Sequence, residues 1–164
     1  MQISAIIDYA ATPEEVFAMI ADEDFQNMKC VATGALRHTV SIRAQGDQTI
    51  IASTRAMPSD YFPSFVRSMV GETLSVTETQ EWDPSTRDGA RHGKLTVHIH
   101  GAPITLHATL SLAQGGLGTV ENIEGDLKAS IPIFGGKVEQ AAAPAIQAAF
   151  RVEGRTGKIW FAER

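Results

Sequence analysis

The sequence predicts an α+β fold in which a curved antiparallel β-sheet of about six to seven strands wraps around a long C-terminal α-helix. Apolar residues recur with a period of two through most of residues 36–129, whereas residues 134–160 show helical spacing. Two short helices are expected between the first strand and this run of strands. Strands that run together before a closing helix favour an antiparallel sheet, and 164 residues suit one domain spanning 1–164.

The first helix has the clearest local signals in the chain. Residues 2–9 alternate as a strand, and Thr12, Pro13 and Glu15 follow. Thr12 can cap the helix, Pro13 suits its first position, and Glu15 completes a capping box. We therefore interpret Glu14 and Glu15 as part of a helix start rather than as an acid/base pair. A second short helix or turn is expected around residues 22–28.

The remaining elements follow from alternation and turn residues. Residues 58–68 hold two prolines and three aromatic residues and are expected to be irregular. The final helix contains Pro144, which should kink it or mark a start within it. The predicted strands are at about 36–43, 49–57, 69–82, 93–100, 104–113 and 117–129.

Composition and charge exclude several classes of protein. The formal charge is −5 and no run of basic residues offers a nucleic-acid-binding face. Cys30 is the only cysteine, so an intrachain disulfide and a CxxC site are excluded. The first residues do not resemble a signal peptide, and no apolar stretch is long enough to span a membrane. We expect a cytoplasmic protein with no cofactor, no nucleic-acid partner and no stable membrane insertion.

The order of elements resembles the START-like superfamily, the helix-grip group of polyketide cyclases, lipid-transfer domains and pollen-allergen-type proteins. Residues 9–17, from Tyr9 to Phe17, look like the opening strand and first helix of many members. Residues 131–139, which lead into an alanine-rich helix ending near Trp160, look like the closing element. The middle, with its aromatic–proline segment and Trp82, resembles a bacterial subgroup of unknown function. The resemblance implies a helix-grip fold and a hydrophobic ligand.

A ligand cavity is expected between the sheet and the last helix. A curved sheet leaves space beside a straight helix, and that helix carries alanines where Leu or Phe would fill a core. The alternative is that these alanines simply favour helix formation and close packing. The segment 58–65 is a candidate gate, or else a cap on one end of the core. The candidate ligand-binding residues are Tyr61, Phe62, Phe65, Val97, Ile99, Leu106, Ala108, Leu127, Phe134, Val138, Ala142, Ala145 and Ile146.

Three histidines offer a competing site. His98 and His100 share one face of a strand, and pairing Ile99 with Leu106 would place His107 opposite His98. Three imidazoles can hold zinc with an open position. This face is opposite the apolar face, however, so it should point to solvent. We therefore predict no metal site and keep these histidines as the alternative.

The sequence favours a carrier or binder of a hydrophobic small molecule, such as a lipid, polyketide or aromatic compound. An enzyme of the cyclase or isomerase kind that uses the same cavity remains the alternative, and a protein-interaction module is a third possibility. Thr54, Asn122 and Tyr61 are polar candidates for the cavity, but no catalytic residue is assigned. The sequence leaves open whether the protein is a monomer or a homodimer.

Overall fold

The computed structural model describes residues 1–164 and contains one seven-stranded sheet in which every neighbouring pair is antiparallel. The strand order is β1-β7-β6-β5-β4-β3-β2, so the first and last strands pair with each other. This confirms the predicted α+β helix-grip fold. The strands are β1 (Gln2–Tyr9), β2 (Arg37–Gln45), β3 (Gln48–Pro58), β4 (Thr73–Trp82), β5 (Arg91–His100), β6 (Ile104–Gly115) and β7 (Gly118–Ala129).

Four helices accompany the sheet. The capping box predicted for the first helix is present, because Thr12 Oγ1 accepts from the Glu15 amide while the Glu15 carboxylate accepts from the Thr12 amide. The long helix packs against β1, β7 and the second helix. It runs unbroken through Pro144. The helices are α1 (Pro13–Ile20), α2 (Glu23–Ala32), α3 (Ser64–Val70) and α4 (Gly135–Ala162).

Alternation along the strands divides the sheet into two faces. The inner face, which is covered by the helices, carries buried residues such as Ile7 on β1, Leu106 on β6 and Leu127 on β7. The residues between them face outward and are largely exposed. This pattern is the one that a half-buried antiparallel sheet requires. Most of the hydrophobic core therefore lies between the inner face and helices α1, α2 and α4.

Two local predictions were wrong. Residues 64–70 form α3 rather than an irregular segment, and β4 therefore begins at Thr73 and not near residue 69. The register of β5 and β6 also differs: Val97 pairs with Leu106, and Ile99 pairs with Ile104. The connection spans residues 101–103, as the strand bounds predicted, and Gly101 adopts a φ of 87° where the chain reverses.

Candidate functional site

The predicted sheet positions all lie on the inner face. Ile99, Leu106, Ala108 and Leu127 are buried there, with exposed fractions of at most 8%. Val97 lies among them but is only half-buried. The strand pattern therefore placed these five side chains on the side of the sheet that the helices cover.

The predicted helix positions are spread around α4. Val138 and Ala142 are buried, whereas Ile146 is half-buried. Ala145 is exposed, although it lies three residues after Ala142 and hence at a neighbouring position on the helix surface. Phe134, which precedes the helix, is 44% exposed. One edge of the alanine-rich surface of α4 is therefore open to solvent.

The aromatic segment before and within α3 lies at one end of the molecule. Tyr61 is 81% exposed, and Phe62 and Phe65 are half-buried. The ring of Phe65 packs against Phe134, with 5.2 Å between the ring centroids. The segment thus contacts the residue that precedes α4, and Phe62 and Phe65 also pack against the hydrophobic core.

Two neighbouring residues on the inner face of the sheet are incompletely covered by the helices. Val97 on β5 pairs with Glu78 on β4, and both side chains point inward. Val97 is half-buried and the Glu78 side chain is 13% exposed, while Leu95 and Ile99 on either side of Val97 are buried. Part of each of these two side chains therefore remains accessible near the centre of the inner face.

Glu78 belongs to a buried group of charges that the sequence analysis did not identify. We call Lys29, Arg55, Glu78 and Glu153 the charged cluster; they come from α2, β3, β4 and α4. Lys29 Nζ lies 2.8 Å from Glu78 Oε1 and 3.3 Å from Glu153 Oε2. Arg55 Nη2 lies 3.1 Å from Glu78 Oε2. One carboxylate therefore bridges two cations from different elements.

The pKa values in the cluster follow from this arrangement. Burial alone would raise the pKa of Glu78, but the charges of Lys29 and Arg55 outweigh it and lower the pKa to about 2. Burial would likewise lower the pKa of Lys29, but Glu153 and Glu78 raise it above its usual value. Burial raises the pKa of Glu153 despite the attraction of Lys29. Glu78 is consequently the firmly ionised acid of the cluster.

A chain of hydrogen bonds extends the cluster along β4. Gln80 Nε2 donates to Glu78 Oε1 at 3.0 Å, and the indole of Trp82 donates to Gln80 Oε1 at 2.8 Å. Arg55 Nη1 donates to Thr33 Oγ1, but the buried Nε of Arg55 has no partner. A buried donor without a partner is rare and costly. The cluster therefore retains one unfilled hydrogen-bonding position.

A second buried pair involves Tyr9 and Glu121. The Tyr9 hydroxyl donates to Glu121 Oε2 at 3.3 Å, and both residues are 1% exposed. Burial first, and then the negative charge of Glu153, raises the pKa of Glu121 well above its usual value. Burial and the charge of Glu121 do the same for Tyr9. The folded protein therefore favours the protonated form of Glu121.

The three histidines lie on the outer face, opposite the charged cluster. Their predicted register was wrong, since His98 pairs with Thr105, and His107 pairs with Thr96. His98 Nδ1 and His100 Nε2 each lie within hydrogen-bonding distance of a threonine hydroxyl. No group of three or more His, Cys, Asp or Glu side chains is arranged to hold a metal ion.

Two surface depressions lie away from the predicted ligand site. A groove of about 530 Å³ runs between α1 and the end of α4, beside Met19 and Trp160. A second, of about 330 Å³, lies beside Ile6 and Asn122 at the pairing of β1 and β7. None of the predicted ligand-binding residues lines either one. The structure also places Thr54 and Asn122 on the outer face of the sheet, so neither points toward the interior.

The sequence did contain a signal for part of the charged cluster. On β4, Leu74, Val76 and Trp82 define an inward alternation, and the same alternation includes Glu78 and Gln80. Polar residues on an apolar strand face are candidates for interior hydrogen bonding. The approach of Lys29 and Glu153 from two helices had no comparable signal, since it depends on how the helices pack.

The sheet that grips α4, with α1 and α2 after the first strand, defines a helix-grip fold. Two solved structures share this fold over nearly the whole chain. One is the protein TTHA0849 of Thermus thermophilus, with a TM-score of 0.59, 16% identity and coverage of 97% of both chains. The other is a START superfamily protein of Mycobacterium smegmatis, with a TM-score of 0.53, 13% identity and coverage of 96% of this chain and 98% of that one.

The chain belongs to the family DUF2505, described as proteins of unknown function, whose model matches residues 4–161. It is also similar to the uncharacterised protein Rv0481c of Mycobacterium tuberculosis. The two are 25% identical over 162 residues, which cover 93% of this chain and 92% of the relative. Separately, none of the four helices has the length and apolar character needed to cross a bilayer.

Proposed function

We propose that the protein binds a small molecule with an apolar body and a polar end group in the space between the sheet and α4. The observation that carries this proposal is the Val97–Glu78 pair, where an apolar and a charged side chain share the incompletely buried part of the inner face. Ligand sites in proteins combine mostly apolar walls with a few placed polar groups. The START-like fold is consistent with a hydrophobic ligand.

The surroundings of this pair supply both kinds of contact. Ile99 and Leu106 continue the apolar wall beside Val97. Arg55 stands next to Glu78 with an unpaired Nε, so a ligand oxygen that reached it would complete its hydrogen bonding. The ligand expected here therefore has a hydrogen-bond acceptor at one end of an otherwise apolar molecule.

Binding is favoured over proton-transfer catalysis at this position. Glu78 is the carboxyl group beside the partly exposed Val97, and a pKa of about 2 makes it a weak proton acceptor near neutral pH. Glu121 would be the better proton donor, but packing encloses both it and Tyr9. The acid that could donate a proton is thus separated from the surface that a ligand could reach.

The test is a binding assay with an amphipathic fluorescent probe, anilinonaphthalene sulfonate, on the wild type and two matched variants. Val97→Phe should fill the inner space and weaken binding about tenfold or more, because the apolar contact area is lost. Thr96→Phe adds a similar ring on the outer face and should leave binding unchanged. Equal affinities for the two variants, at equal thermal stability, would refute this site.

Native mass spectrometry of the purified protein provides an independent readout. A bound mass that is lost on denaturation, and is absent from Val97→Phe but present in Thr96→Phe, would support the proposal and begin to identify the ligand. A bound mass retained by both variants would place the ligand elsewhere in the fold.

A further inference from the structure

The charges of the charged cluster balance when both of its acids are ionised. Lys29 and Arg55 supply two positive charges, and Glu78 and Glu153 supply two negative ones. None of the four side chains is more than 13% exposed, so solvent and salt screen them weakly. A further negative charge brought to this group would leave one buried charge without a partner, which is strongly destabilising.

The two carboxylates of the cluster are held unequally. Glu78 lies within ion-pair distance of both Lys29 and Arg55. It also accepts a hydrogen bond from Gln80. Glu153 has one partner, Lys29, and its contact of 3.3 Å is longer than the 2.8 Å contact of Glu78 with the same ammonium group. Glu153 is therefore the carboxylate that loses least by accepting a proton, and burial raises its pKa while the pKa of Glu78 is lowered.

The ionisable groups around Glu153 come from five other elements. They are Lys29 on α2, Arg55 on β3, Glu78 on β4, Glu121 on β7 and Tyr9 on β1. The first two are cations, and Glu78 is firmly ionised. Glu121 and Tyr9 share a hydrogen bond and both favour their protonated forms, so neither adds a charge. Protonation of Glu153 would therefore leave this part of the interior with one net positive charge.

Arg55 has a donor available for an anion. Its side chain is 6% exposed, and its two terminal nitrogens donate to Thr33 and Glu78, whereas the buried Nε has no partner. Arg55 pairs with Val76, two residues before Glu78, so the guanidinium lies on the inner face beside that acid. A guanidinium donor binds a carboxylate more strongly than a neutral oxygen. The donor therefore favours an anionic end group, provided that the cluster loses one negative charge.

We propose that an amphiphile with a carboxylate end group binds beside Arg55 together with one proton, which the Glu153 carboxylate takes from solvent. This inference rests on the function proposed above and adds the class of ligand and its regulation. The ligand brings one negative charge and the proton cancels one, so the net charge of the interior does not change. Binding is consequently stronger at low pH and weakens as the pH rises, whereas the binding of a neutral ligand does not depend on pH in this way.

The test is isothermal titration calorimetry of the wild type with decanoate and with decan-1-ol, which have the same chain length and differ in charge. Decanoate is ionised between about pH 6 and pH 8, so any proton taken up on binding goes to the protein. Titrations at one pH in phosphate and in Tris, whose ionisation enthalpies differ, should show uptake approaching one proton per decanoate. Its affinity should fall by up to about tenfold per pH unit where Glu153 is ionised in the unliganded protein. Decan-1-ol should show neither effect.

Glu153→Gln keeps an oxygen for Lys29 but carries no charge. It should bind decanoate without proton uptake and with an affinity that no longer changes with pH. Glu163→Gln is the matched control, because Glu163 is an exposed acid just after α4, and it should retain the uptake. Decanoate binding by the wild type without proton uptake would overturn the inference, and so would an uptake that persists in Glu153→Gln.

The same titrations separate this inference from the proposed function. If both compounds bind and Val97→Phe weakens both, but no proton is taken up, the binding site stands and the coupling to Glu153 is wrong. If decan-1-ol binds and decanoate does not, the site again stands and the carboxylate end group is wrong. If neither compound binds the wild type, both the proposed function and this inference fail.

Discussion

The ammonium group of Lys29 is 2.8 Å from the carboxylate of Glu78, and the Lys29 side chain is only 3% exposed. This ion pair joins α2 to the centre of the sheet, and Glu153 of α4 contacts the same ammonium group. Removing one member of a buried ion pair leaves an uncompensated charge, which is more destabilising than replacing the whole pair. The charged cluster thus couples the positions of two helices to two strands.

Replacing Lys29 should reveal this coupling. Lys29→Met should lower the free energy of unfolding by about 3–5 kcal/mol, because Glu78 and Glu153 lose their shared cation. Adding Glu153→Gln should recover part of the loss, since one unpaired acid is removed. Urea denaturation measures both, with Lys94→Met at an exposed position as the control. A loss no larger than that of the control would show that the cluster contributes little to stability.

The low pKa of Glu78 predicts a specific response to acid. Its pKa falls from the usual 4.5 to about 2 in the folded protein. The ionised carboxylate therefore stabilises the fold at pH values above its pKa in the unfolded chain, and this stabilisation is lost as the pH falls toward 2. The loss should reach about 3 kcal/mol. Measuring the free energy of unfolding across this range should show a steeper decline for the wild type than for Glu78→Gln. Parallel curves would contradict the assignment.

Glu121 should have the opposite effect. Its raised pKa means that the folded state favours the protonated form. The free energy of unfolding should therefore be highest at low pH. It should decline as the pH rises from the pKa of Glu121 in the unfolded chain toward its higher pKa in the folded protein. Glu121→Gln keeps a hydrogen-bond acceptor for Tyr9 without this loss. Near neutral pH the variant should therefore melt at a higher temperature than the wild type. The expected difference is about 2–4 °C for each kcal/mol by which the substitution raises the free energy of unfolding. A difference that does not change with pH would argue against a raised pKa of Glu121.

Two glycines of α4 should respond to the same substitution in opposite directions. A β-carbon at Gly157 would fall on the ring of Tyr9 and against Met19, whereas one at Gly136 would meet no atom within 4 Å. Gly157→Ala should therefore cost about 1–3 kcal/mol through overpacking. Gly136→Ala should stabilise the helix by about 0.5–1 kcal/mol. Thermal denaturation of both variants measures the contrast, and stabilisation by Gly157→Ala would show that Tyr9 can move aside.

Most of the sheet could be predicted because alternation and turn residues are local signals. The capping box at Thr12 and Glu15 is equally local, and the structure contains it. Helix α3 was missed because it has only seven residues, begins after Pro63 and has no side-chain cap. The register of β5 and β6 was missed because it depends on the geometry of the turn at Gly101, which alternation does not determine.

The site was less predictable than the fold. Val97 and Ile99 could be placed on the inner face from the strand pattern, but nothing local indicated that only Val97 remains partly accessible. Glu78 shares the inward alternation of its strand, and an explicit search for polar residues on that face would have found it. Its pairing with Lys29 joins residues 49 positions apart, so no spacing rule predicts it.

The pairing of β1 with β7 also determines when the sheet can be completed as the chain is made. Gln2 pairs with Asp126, so the first strand has its neighbour in the sheet only after more than one hundred further residues have been added. At about 5–20 residues per second, that interval is roughly 6–24 s on the ribosome. Throughout it, β1 lacks its neighbour in the sheet, so its backbone hydrogen-bonding groups and alternating apolar side chains are open to other strands or to a chaperone.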